Sequence, residues 1–198
     1  MSKRIAFFDF DGTITFKDTL LEIIKYRHGI AGLYAGMLKI SPWLVAMKLK
    51  LISNQTAKEK LLTHFFKNTS LADFQKDCDA FINATFSSLI RPAALEQIKK
   101  YNASGVQVVI VSASPQNWIM GWCKANNLHC IATILETKNN IITGKIQGLN
   151  CYGEEKVRRI KAAYNLSDYD EISCYGDTSG DKPMLALGTK AYYKPFRD

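Results

Sequence analysis

Paired cysteines, internal repeats, low-complexity tracts and long uncharged apolar runs are all missing from this chain of 198 residues. Its five cysteines (Cys78, Cys123, Cys130, Cys151 and Cys174) are scattered and form no C-x-x-C pair. A zinc ribbon or disulfide framework is therefore not expected, and a reducing, cytoplasmic setting is. The most apolar stretch, residues 29–52, is interrupted by Lys39, Pro42, Lys48 and Lys50. No uncharged run there approaches the roughly 18 residues of a membrane span. Only a few residues precede the first charged motif, so no signal peptide is expected. Acidic residues are scarce in one region. From residue 25 to 67 there are eight basic side chains (Lys25, Arg27, Lys39, Lys48, Lys50, Lys58, Lys60, Lys67) and one acid, Glu59. Nearly the whole net charge of +8 is concentrated there. Such a distribution suits a basic face on one part of the molecule, not a nucleic-acid-binding protein, and no nucleic acid partner is expected.

What is present is a normal globular composition, 47% hydrophobic and 22% charged, enough for one core domain with a modest insertion. The apolar run "RIAFF" (4–8) reads as a buried strand. "VQVVIVSAS" and "EISCYG" read as further core strands, with helices at "RPAALEQIKKYNASG", "SPQNWIMGWCKANN", "EEKVRRIKAAYN" and "DKPMLALG". Ser114 is placed to cap the second of these helices, with Pro115 at its first position. A hairpin is expected over "IATILETKNNIITGKIQG", turning at Asn139–Asn140. Alternation of strand and helix calls for an α/β fold, a parallel sheet with helices on both faces. Four helical stretches between residues 17 and 88 interrupt the alternation after the first strand, as an inserted helical cap. The expected division is a core of residues 1–16 and 89–198 around a cap of residues 17–88. Ligands of such sheets sit at the carboxyl ends of the strands, where Asp9/Asp11, Ser112/Ser114 and Asp177/Asp181 fall.

Asp9 and Asp11 raise a physical question. If the strand continued through them, both carboxylates would point to one side and repel. A cation between them, or a proton kept on one for acid chemistry, would relieve that.

The four clusters in order carry a resemblance. "DFDGT" (9–13), the strand ending at Ser112, Lys156 in "GEEKVRRIK" and "YGDTSGDKPML" with Asp177 and Asp181 resemble the four motifs of the haloacid dehalogenase superfamily. A helical cap between the first and second motifs is similar to its subfamily IB. The resemblance implies a Rossmann-like core and a magnesium-dependent phosphomonoester hydrolase. In it Asp9 is the nucleophile that forms an aspartyl-phosphate, and Asp11 is the general acid and then base. Magnesium is held by Asp9, the Asp11 main-chain carbonyl and Asp177, with Asp181 on the metal or on its water. Thr13, Asp18, Ser112, Ala113 and Lys156 are placed on the substrate side. His28, His64 and His129 have no part in it.

The substrate is less defined. In phosphoserine phosphatases a glutamate follows the nucleophile by nine positions; here that position is Asp18. The cap lacks their arginine motif, and Ala113 and Ser114 replace the usual glycines. Phosphoserine is one alternative. Another is a phospholipid such as phosphatidylglycerophosphate, because Tyr34, Trp43, leucines and lysines mingle in residues 29–52 as in an interfacial helix. The expected partners are thus a small or lipid phosphate and, through the basic apolar cap, the inner face of an anionic membrane.

Overall fold

The structure is a computed structural model that describes residues 3–197. Five parallel strands form the central sheet: β1 (Arg4–Phe8), β2 (Gln107–Pro115), β3 (His129–Thr133), β6 (Glu171–Gly176) and β7 (Lys190–Tyr193), in the order β3-β2-β1-β6-β7. A separate antiparallel hairpin pairs β4 (Leu135–Lys138) with β5 (Ile141–Ile146). Its turn uses Asn139 and Asn140, both at positive φ (50° and 59°), a backbone region asparagine tolerates. The short edge strand β7 has no expected counterpart; its four residues are all exposed, so no apolar alternation marks it in the sequence.

β1 shows why the sheet needs two covers. Ala6 and Phe8 pack with Ile98 of α4 (Pro92–Ala103) and with Trp122 and Cys123 of α5 (Met120–Ala125). Ile5 and Phe7 pack on the other side with Ile160 of α6 (Glu154–Ala163) and Met184 of α7 (Lys182–Leu185). Alternate residues therefore supply opposite layers, and each fully buried phenylalanine is worth about 1.5–3 kcal/mol relative to exposure. The chain moves from β1 to β2 and β3 on one side, then crosses to β6 on the other. That reversal at β1 creates the crevice where ligands of such sheets bind.

Three helices, α1 (Thr19–Lys48), α2 (Asn54–Phe66) and α3 (Leu71–Leu89), lie between β1 and α4 as the inserted segment. The chain leaves and re-enters the core as two antiparallel strips: Phe16 N–H donates to Leu89 C=O (2.8 Å) and Arg91 N–H to Ile14 C=O (2.8 Å). Ser70 caps α3 by accepting from Asp73 N–H, the pairing its spacing suggests. α1 is broken at Gly29 (φ 70°, ψ 172°), a left-handed angle glycine adopts without a Cβ penalty. The hairpin fastens α2 to the core. Gly144, also at positive φ, lies against the Thr63 backbone with no room for a Cβ, and Ile146 N–H donates to Glu59 (3.2 Å).

One local expectation fails. Ser114 caps no helix: β2 runs on through Pro115, and only a short 3-10 turn (Gln116–Trp118) precedes α5. Its hydroxyl donates instead to the Asp11 carboxylate at 2.6 Å. The α-helix starts only at Met120, so no helix N-terminus follows Ser114 for it to cap.

Candidate active site

β1 stops at Phe8, and Asp9 makes the last sheet contact through its N–H to Tyr175 C=O (2.9 Å). The chain then turns at Gly12, whose φ of 81° and close approach to Asp177 (a Cβ would lie 2.5 Å from Oδ2) leave space for no other residue. The two aspartates therefore do not share one strand face, and their partner sets differ. Asp9 Oδ1 accepts from Lys156 Nζ (2.6 Å) and Oδ2 from Thr13 Oγ1 (3.0 Å). Asp11 accepts from Thr19 N–H (2.7 Å), Thr19 Oγ1 (2.6 Å) and Ser114 Oγ (2.6 Å). Trp118 Nε1 donates to the same Thr19 hydroxyl (3.0 Å), fixing its orientation from below.

Lys156, on α6, is almost fully buried and also donates to Asp181 Oδ1 (2.7 Å). Burial alone would depress its pKa; Asp9, then Asp181, outweigh it, and the ammonium is held charged above its usual range. Burial pushes Asp9 up to about 7, against the pull of Lys156. Burial and then Asp181 raise Asp177 above its ordinary value. Asp181 goes the other way: burial opposes ionisation, but Lys156 overcomes it, and Thr178 N–H and Oγ1 (both 2.9 Å) add to the carboxylate's ties. Ligand oxygens of Asp9, Asp177 and Asp181 come within 4.8 Å of one another. Thr13 Oγ1 reaches both Asp9 and Asp177 (3.4 Å), and Arg197 donates to Asp177 Oδ2 (2.6 Å). Three converging hard oxygen donors, with Gly12 packed beneath them, fit a small divalent cation such as magnesium. Asp11 stands apart from that carboxylate group, so only its main-chain carbonyl is left for the metal role expected of it.

A cavity of about 340 Å³ opens above these groups, lined at its floor by Asp9, Asp11, Lys156 and Asp181. Its outer wall is apolar, from Leu20, Leu21, Met37, Leu44 and Met47 of α1 and Leu61 of α2. Of the expected substrate-side residues, Asp18, Ala113 and Lys156 line it, whereas Ser112 and Thr13 do not. Ser112 is buried beneath the wall and accepts from Ser114 N–H (3.0 Å). Thr13 holds the carboxylates. Asp18 is exposed at the mouth of the cavity and caps α1 by accepting from Leu20 and Leu21 N–H.

Lys58 was not expected here. From α2 its ammonium donates to Ala113 C=O (2.7 Å) and lies 3.4 Å from Asn150 Oδ1, with no carboxylate in ion-pair reach among the described residues. Burial lowers its pKa, while Asp11 and Asp18 pull it upward. Thr19 and Asn150 were missed as well, whereas Ser114 was placed at the ligand-binding strand ends but given only a capping role.

A model of the haloacid dehalogenase-like hydrolases matches residues 6–186. Protein CicA of Caulobacter vibrioides is 33% identical over 192 residues, covering 96% of this chain and 85% of that protein. Among solved structures, a protein of unknown function from Bordetella pertussis superposes with a TM-score of 0.80 at 23% identity, covering 96% of this chain and 89% of that one. A substrate-bound phosphoserine phosphatase does so with a TM-score of 0.66 at 21% identity, covering 98% and 86%. The match runs from β1 through α7 and takes in all four clusters of the site, and the chain belongs to the haloacid dehalogenase-like hydrolase family.

Proposed function

We propose that the protein is a magnesium-dependent phosphomonoester hydrolase of subfamily IB, acting in the cytoplasm or at the inner membrane face on an amphiphilic organic phosphate. One observation carries the reading: buried Lys156 bridges Asp9 and Asp181 at the floor of a cavity whose outer wall is apolar. Asp9 attacks phosphorus as the ester P–O bond breaks, leaving an aspartyl-phosphate. Asp11 gives its proton to the departing alkoxide. It later takes one from the water that attacks the acyl phosphate, releasing inorganic phosphate and restoring Asp9. Thr19 and Ser114 hold the Asp11 carboxyl in place for both transfers. Lys156 offsets the negative charge on the phosphoryl oxygens. Asp9, Asp177, Asp181 and the Asp11 carbonyl would hold a magnesium ion, which would supply further charge neutralisation between carboxylate and phosphate.

A second reading is phosphoserine. Asp18 and Lys58 place opposite charges in one cavity, as an ammonium and a carboxylate require. The apolar wall of α1 favours the amphiphile. The test is phosphate release from para-nitrophenyl phosphate, phosphoserine, sugar phosphates, nucleotides and phosphatidylglycerophosphate, with magnesium and with a chelator. Magnesium-dependent turnover of a lipid phosphate, lost in Asp9→Asn, is expected. Equal turnover in chelator overturns the mechanism, and preference for phosphoserine overturns the substrate class.

A further inference from the structure

The second half of α1 uses two of its faces. Gly36 and Ile40 pack inward, Gly36 so close to Phe65 of α2 that a Cβ would collide. Met37, Leu44 and Met47 line the catalytic cavity. The remaining face covers nothing. Ile30, Tyr34, Leu38, Val45 and Leu49 are 58, 68, 76, 55 and 65% exposed, and they recur at helical spacing as one stripe. A contiguous apolar face of this kind is unusual on a protein with no partner for it.

The charge around the stripe identifies the partner. Lys39, Lys48 and Lys50 are exposed beside it, and none has a carboxylate in ion-pair reach among the described residues. No acid occurs between Glu22 and Glu59. Trp43 lies on the opposite side of the helix, against α2, with Lys60 Nζ 4.2 Å from its ring centre, and is not part of the stripe. α1 is long and apolar enough to cross a bilayer by length and composition alone. Packing on α2 opposes that: Gly36 lies against Phe65 with no room for a Cβ, and Ile40 is buried in the core. A second copy of the chain would set lysines against lysines, whereas anionic lipid supplies the opposite charge.

We propose that residues 30–51 dock on an anionic bilayer surface, with the apolar stripe in the headgroup–acyl boundary and the lysines among anionic headgroups. The docking stands apart from the catalytic reading. Only its purpose, holding the cavity near a membrane-borne phosphate, rests on that reading.

The test is co-sedimentation of the whole protein with vesicles of phosphatidylcholine, with and without phosphatidylglycerol, at low and high salt. Wild type is expected to pellet only with phosphatidylglycerol vesicles and at low salt. Each lysine contributes about fivefold to partitioning, so K39E/K48E/K50E, which also adds repulsion, is expected to lose at least about a hundredfold. Leu38→Gln with Val45→Gln is expected to release the protein while hydrolysing para-nitrophenyl phosphate at the wild-type rate, since neither residue lines the cavity. Wild type remaining in the supernatant overturns the proposal, as does equal pelleting of the lysine variant. So does a dimer in lipid-free solution that the glutamine pair converts to monomer. Vesicle binding without any hydrolysis overturns the phosphatase reading and leaves the docking surface standing.

Discussion

The floor of the cavity and the outer half of α1 handle charge in opposite ways. At the floor three carboxylates converge and a fourth stands beside them, yet each has a donor: Lys156 for Asp9 and Asp181, Arg197 for Asp177, Thr19 and Ser114 for Asp11. On the outer half of α1 three lysines and five large apolar side chains face solvent, the lysines with no ion-pair partner among the described residues. A buried charge without its counter-charge is strongly destabilising, so the floor depends on the donors the fold builds around it. An exposed charge costs little to leave unpaired, and the outer half of α1 can be completed from outside. Single changes should therefore be severe at the floor and mild at the rim.

The largest effect belongs to Asp9→Asn. It removes the nucleophile, and turnover of para-nitrophenyl phosphate is expected to fall by several powers of ten. Lys156 keeps Asp181 as partner, so the variant should still fold, checked by its thermal transition. Activity near wild type would break the comparison at its strongest point. Asp11→Asn comes next, with an expected loss of about 10²- to 10⁴-fold in kcat as proton transfer fails. It retains the main-chain carbonyl. Stabilisation by magnesium, about 2.7 kcal/mol at a hundred times the Kd, should therefore persist as an upward shift in Tm. Loss of that shift would move the Asp11 side chain into the metal group.

Lys58 lies between the two regions and sharpens the contrast. It is a cap cation facing the floor, bonded to one main-chain carbonyl and near one amide oxygen. A hydrogen bond to a charged group is worth about 1.5–3 kcal/mol, so Lys58→Met should raise KM about tenfold or more for a substrate with a second anionic group. For para-nitrophenyl phosphate, which has no such group, KM should barely change. Equal loss on both would make Lys58 a structural tie between cap and core.

The same contrast explains what could be read in the sequence. Strands β1 and β2 carry continuous apolar runs because both faces are buried, β6 is buried along its length with Ser173 among its apolar residues, and each leads into the polar cluster that builds the floor. Local pattern and motif coincide there. Lys58 and Asn150 are brought into the site by the docking of α2 and the hairpin on the core, and no local pattern announces that. Ser114 was visible but misassigned: Ser-Pro before an apolar run is a helix-cap signal, but the α-helix starts only at Met120 and the hydroxyl meets the distant Asp11 carboxylate. The strand read over residues 4–8 is the one observed, and the period does not carry on through "DFDGT". The ladder ends at Asp9 and Gly12 turns the chain, so Asp11 meets Thr19 and Ser114 instead of sharing the partners of Asp9.

The smallest expected effect lies beneath the floor, at Glu155, in the first turn of α6 next to Lys156. Hydrogen bonds from Arg158 (2.6 Å) hold its carboxyl at about 2, with burial opposing and Arg159 (2.7 Å) assisting. The Arg158 side chain is 66% exposed and screened by solvent, so the firmer partner is Arg159. Arg159 is only 16% exposed and also donates to Ala132 C=O and Leu149 C=O. The folded pKa lies below the unfolded one, so the native state holds fewer protons than the unfolded chain between about pH 4.5 and about 2. The contribution is full above that window and is lost as pH falls through it. Urea midpoints measured from neutral pH down to about pH 3 should fall less steeply in Glu155→Gln than in wild type. Arg158→Ala should change the neutral midpoint little, and Arg159→Ala more, since it strands two carbonyls as well. Identical slopes in wild type and Glu155→Gln would mean that this pair is as fully screened as the lysines on the outer half of α1.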